Sequence, residues 1–85
     1  MSLGHALNGH GISTYNVNLY PECHELCLQA PRCLSYNYEY KSTSSSHVCE
    51  LNDATDKMCP DSLTRKPGFK YYEEKVSRLG EKIPN

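Results

Sequence analysis

The chain divides into short runs whose apolar spacing changes from one run to the next. From Ile12 to Tyr20, the apolar or aromatic residues Ile12, Tyr15, Val17 and Leu19 alternate loosely with Ser, Thr and Asn, as in one strand or a pair of short ones. From Pro21 the spacing switches. Cys23, Leu26, Cys27 and Ala30 fall at i, i+3, i+4 and i+7, which is one face of an α-helix. Pro21 suits the first helical position, where its missing N–H is not needed. Glu22 and Glu25 sit where the helix dipole favours acids, and Pro31 stops the run. The pattern predicts a helix at 21–30.

Cys33 to Tyr40 (CLSYNYEY) reads as a strand, being aromatic, alternating and too short for another helix. KSTSSS at 41–46 is a hairpin loop by composition, and Val48 to Asn52 is the returning strand. Residues 53–66, polar and interrupted by Pro60, read as a long surface connection. Pro67–Gly68 reads as a turn and Phe69 to Glu74 as a last strand. Residues 1–11, rich in Gly, His and Asn, are expected to be disordered or vector-derived. Residues 75–85 are expected to be a tail or linker, leaving a domain at 12–74. The sum is an α+β domain: one helix packed on a small antiparallel sheet of about five strands.

Composition adds a difficulty. Leu, Ile, Val and Phe make up 15 of the 85 residues. That is about 18%, below the level at which chains usually collapse on aliphatic burial alone. Net charge, the usual companion of disorder, is only −1. Something other than aliphatic packing must hold the domain, and five cysteines are the obvious agent. The near-zero charge also argues against a nucleic-acid binder. It conceals an asymmetry: 3 basic and 7 acidic residues lie in 20–63, but 6 basic and 3 acidic in 64–85. No apolar run is long enough to span a bilayer, and no leading segment has the form of a signal peptide.

The cysteines are Cys23, Cys27, Cys33, Cys49 and Cys59, with His24 and His47 beside two of them. Zinc modules want a second Cys pair or a His pair at knuckle spacing, and neither is present, so no metal site is expected. Disulfides explain more. Two cysteines one turn apart face the sheet together and can each reach a different strand. A Cys27–Cys33 bond would close a short loop, and a Cys23–Cys49 bond would staple the helix to the returning strand. Spacing alone leaves 5 × 3 = 15 ways of leaving one cysteine free and pairing four. A Cys–His nucleophile needs a free thiolate, which oxidised cysteines lack, so catalysis is not expected.

The pattern C-x3-C-x5-C-x-S-Y-N-Y, then C-E-L-N, then P-G-F-x-Y-Y-E resembles the PAN/apple domain. It is carried here by Cys23, Cys27, Cys33, Ser35 to Tyr38, Cys49 to Asn52, and Pro67 to Glu73. The resemblance implies a sheet of about five strands cradling one helix, with Cys23 bonded to Cys49 and Cys27 to Cys33. It matches the two-bridge PAN form. The third bridge of apple domains cannot form, because no cysteine precedes residue 23. Cys59 matches no family position and is expected to be unpaired within the domain or to bridge to another chain. The resemblance also implies an extracellular, non-catalytic, cofactor-free module of a larger protein.

Two surfaces are candidates for binding. Tyr36, Tyr38 and Tyr40 share one face of their strand. Counting from Cys33, they should point away from the helix, either as an aromatic platform or as cover for the sheet's second side. Arg65, Lys66 and Lys70 flank the Pro67–Gly68 turn and could hold sulfates or carboxylates of a glycan. The leading expectation is an extracellular recognition or adhesion module that binds another protein. The alternative is a carbohydrate-binding module, glycosaminoglycans included. Neither nucleic acid nor a membrane span is expected, and a stand-alone secreted effector is a weaker third reading.

Overall fold

In the computed structural model of the protein, the described residues are 2–74. The helix α1 (Tyr20–Gln29) forms where its local signals place it. Pro21 lies in its first turn, and the Glu22 carboxylate accepts hydrogen bonds from the N–H groups of Asn18 and Leu19 at 2.7 and 3.3 Å. At the other end Ala30 turns to extended geometry, as the residue before a proline must, and its N–H donates back to Leu26 and Cys27. Five strands complete the fold: β1 (Ser2–Leu7), β2 (Gly11–Val17), β3 (Ser35–Glu39), β4 (His47–Asn52) and β5 (Leu63–Glu73). They form one antiparallel sheet in the order β1-β5-β3-β4-β2. This is the α+β architecture expected.

That order forces a curl. β1 and β2 occupy opposite edges, yet only Asn8, Gly9 and His10 join them. A flat sheet would hold its edges about 19 Å apart, while four chain steps reach at most about 14 Å. The sheet therefore bends until the Leu7 end of β1 lies over the centre of β3. Asn37 closes this bend. Its side chain accepts the Leu7 N–H at 2.9 Å and donates to the Leu7 carbonyl at 2.9 Å, acting as a strand partner that the backbone lacks there.

Two small cores result. One lies between sheet and helix and contains Val17, Tyr36, Tyr38, Leu51 and the four cysteines Cys23, Cys27, Cys33 and Cys49. Cys23 is bonded to Cys49 and Cys27 to Cys33, and all four are fully buried. The other lies inside the curl and contains Leu7, Ala54 and Tyr71. The Tyr71 hydroxyl donates to the Asp56 carboxylate and accepts the Asp56 N–H, which clamps the connection after β4 over the back of the sheet.

Several expectations are corrected. Residues 2–7 are not disordered: β1 is an edge strand whose Ala6 and Leu7 are buried. Residues 53–66 are not simply a surface connection, because Ala54 and Thr55 are buried and the chain already enters β5 at Leu63. Pro67–Gly68 does not reverse the chain. Gly68, at φ 90°, kinks one continuous strand of 11 residues. The tyrosine parity is also inverted. Cys33 precedes β3, and its direction is set by the short ring that joins it to Cys27, not by the pleat. Tyr36 and Tyr38 consequently face the helix. The tail proposed at 75–85 lies outside the described residues.

Candidate functional site

The interior tyrosines make no open platform. Tyr36 is 2% exposed and Tyr38 7% exposed. Tyr20 from the helix packs tilted against Tyr36 and Tyr72 and edge-on to Tyr38, and its hydroxyl lies 2.7 Å from that of Tyr36. Burial, followed by the contact with Tyr20, pushes the Tyr36 phenol far above its ordinary range. Burial also raises Tyr38, Tyr71 and Tyr72. His24 joins this group, with Nε2 3.0 Å from the buried carboxylate of Glu74. These side chains hold the helix on the sheet and are not displayed to a ligand. Of the three tyrosines expected to form the platform, Tyr40, just after β3, is half-buried while Tyr36 and Tyr38 are buried.

The basic residues expected to act together are separated. Lys66 turns toward the curl, 3.6 Å from Glu50 and 4.2 Å above the Phe69 ring. It lines a polar pocket of about 170 Å³ with Asn52, Thr14 and Thr64, under the β1–β2 turn. Lys70 lies on the opposite face, 5.3 Å from the Tyr40 ring centre. Arg65 stays exposed and borders a cleft of about 290 Å³ that also includes Tyr40, Lys41 and His5.

That cleft has a backbone cause. Along the β1–β5 ladder, Leu3 pairs with Lys70 and His5 with Arg65, so residues 66–69 of β5 stand opposite the single residue Gly4. The extra residues bulge, and both Gly4 and Gly68 take positive φ, which β-carbon-bearing residues resist. Pro67 has no N–H to leave unpaired in the bulge. The Gly68 carbonyl accepts the N–H groups of Tyr40 and Lys41 at 2.9 and 3.2 Å, drawing both residues to the cleft. Lys41 and His5 were missed from the sequence. The available signal was a Pro–Gly pair inside an otherwise strand-like run.

A third concavity lies on the far edge. Val17, Pro21 and Leu26 floor an apolar groove of about 550 Å³ between the end of β2 and α1, with Glu22 and Glu25 on its rim. Tyr15 shares the strand face of Val17 and is 41% exposed, and Leu19 at the helix entrance is 63% exposed. Among the described residues β2 pairs only with β4, which leaves its outer edge open.

Cys59 is a free, half-buried thiol beside the second core. Among the described residues there is no group of three or more His, Cys, Asp or Glu placed to hold a metal ion, and no helix long and apolar enough to cross a membrane.

Neither the curated proteins nor the solved structures contain a match to this chain. A family-level comparison does: the PAN domain matches residues 2–76, including the N-terminal strand that closes the curl. PAN domains are generally non-catalytic modules that bind proteins or carbohydrates, and those with disulfides typically occur in extracellular proteins. Matched over most of its length, and built as a five-stranded antiparallel sheet with one helix and two disulfides, the chain belongs to the PAN-domain family.

Proposed function

We propose that this domain is an extracellular, non-catalytic recognition module whose principal ligand is another protein, docked on the α1–β2 side. The observation that carries this reading is the apolar groove beside an open strand edge. Exposed Tyr15 and Leu19 extend its apolar area. An extended segment placed along β2 finds unpaired backbone groups on one side and an apolar floor on the other. The rim carboxylates, Glu22 and Glu25, favour a segment with an apolar anchor flanked by Lys or Arg.

The test is a selection of displayed peptides on the oxidised domain, followed by titration of the recovered sequences. Apolar residues flanked by basic ones should be enriched, and Leu19→Asp with Glu25→Lys should weaken their binding by about tenfold or more, the size of one lost anchor. Recovery of acidic peptides, or binding indifferent to both substitutions, would overturn the assignment.

Carbohydrate binding is the second reading. The cleft at the β5 bulge, lined by cations and one tyrosine, favours it.

A further inference from the structure

We propose that the β5 bulge cleft is an anion-selective saccharide site, in which Lys41 and Arg65 hold a sulfate or carboxylate substituent against Tyr40. This rests on the carbohydrate reading and gives it a ligand class and the residues that hold the ligand.

The first observation is how the cations are partnered. Arg32 pairs with Asp53, Lys57 with Glu73 and Lys66 with Glu50, while Lys70 lies over the Tyr40 ring. Lys41 and Arg65 are the two cations among the described residues without an ion-pair, hydrogen-bond or ring partner. They come from distant parts of the sequence, and both line the same cleft. No carboxylate among the described residues lines it. Lys70 adds a third positive charge at its Tyr40 wall. An anion entering there meets uncompensated positive charge in a concave site, where it is less screened than on a flat surface.

The second observation is the effort in the backbone. Two glycines at positive φ, a proline and a four-against-one register shift open β5 away from β1 and nowhere else along that ladder. Bulges of this kind re-aim side chains at functional sites. Here the bulge creates the cleft, and the Gly68 carbonyl anchors the Tyr40–Lys41 backbone at its wall.

A saccharide suits the cleft better than an acidic peptide. The cleft lies on the paired side of β1, between two strands already bonded to one another, where no edge is free to add a strand. A pyranose needs no such edge. It needs a flat ring for its C–H face and donors for its substituents. Tyr40 supplies the first, and Lys41 and Arg65 supply the second.

The experiment uses the full chain with both disulfides formed. Binding is measured by calorimetry against size-defined heparin and hyaluronate oligosaccharides, a neutral dextran oligosaccharide and a poly-glutamate peptide. The anionic saccharides should bind, and binding should fall as salt rises. Lys41→Gln with Arg65→Gln should weaken binding by about tenfold or more, as loss of charge-assisted bonds does. Lys66→Gln, whose charge is already matched by Glu50, should stay within about twofold by the same reasoning. An unchanged thermal midpoint in the double variant shows that the fold survives. If the saccharides bind but the double variant binds equally well, the cleft assignment falls while the carbohydrate reading stands. If no saccharide binds, both fall. Tighter binding of poly-glutamate than of any saccharide overturns the ligand class.

Discussion

Asn37 occupies the centre of β3, fully buried on the side away from the helix, and makes three hydrogen bonds: two to the Leu7 backbone and one to Glu50. An amide offers a donor and an acceptor on two separate atoms, so it can imitate a strand edge. Its neighbour Ser35 plays a similar part, donating to the Ala54 carbonyl at 2.6 Å. Replacing Asn37 by Ala leaves the Leu7 N–H and carbonyl buried without their partner. Asn37→Ala should therefore cost about 3 kcal/mol in urea unfolding. A loss under about 1 kcal/mol would mean that the curl closes without it. Counting from Cys33 in the sequence places these polar residues toward the helix, yet they lie on the other face of the sheet. They are inward because β1 and the connection after β4 fold over them, which no local pattern encodes.

At the scale of elements, α1 is held by two cross-links of different reach. Cys23–Cys49 spans 26 positions of sequence and ties the helix to β4, whereas Cys27–Cys33 spans only 6 and closes the turn into β3. Loop-closure entropy makes the first worth about 3.5 kcal/mol and the second about 2.4 kcal/mol. Converting Cys23 and Cys49 to Ala should therefore destabilise more than converting Cys27 and Cys33. Chemical denaturation of the two double variants checks this, and the reverse order would show that the short ring positions the helix. The helix itself was legible because each of its signals is local: a proline at its start, early acids, apolar residues one turn apart and a proline after its end. β5 was legible only in its second half. Its first half carries Pro67 and a positive-φ glycine, which announce a turn unless a neighbouring strand absorbs the extra residues, as β1 does.

For the whole molecule, thin aliphatic content is offset by buried phenols as well as by disulfides. Tyr36, Tyr38, Tyr71 and Tyr72 all have raised pKa values, chiefly because burial disfavours phenolate. The sign follows from proton counting. Above about pH 10 the unfolded chain releases these protons while the folded chain keeps them, so stability is complete below that pH and falls as pH rises through it. Thermal midpoints should therefore drop on the alkaline side, with phenolate absorbance growing together with unfolding. Tyr36→Phe should flatten that drop. Phenolate absorbance equal to that of all seven tyrosines before any unfolding, with an unchanged slope in the variant, would contradict the buried cluster.

From its residues alone the chain determined that one helix and several short antiparallel strands would form, and that sulfur cross-links would have to supplement a poor aliphatic core. Those are matters of spacing, turn chemistry and composition, readable within a few residues. Only tertiary structure decided that the first strand pairs with the last, that Tyr36 and Tyr38 lie beneath the helix, and that Lys41 and Arg65 line one cleft. The first depends on how far the sheet curls, the second on the short Cys27–Cys33 ring, and the third on the bulge in β5. Curl is set by the three-residue link that must join opposite edges, and the bulge faces a single glycine some sixty residues away in the sequence.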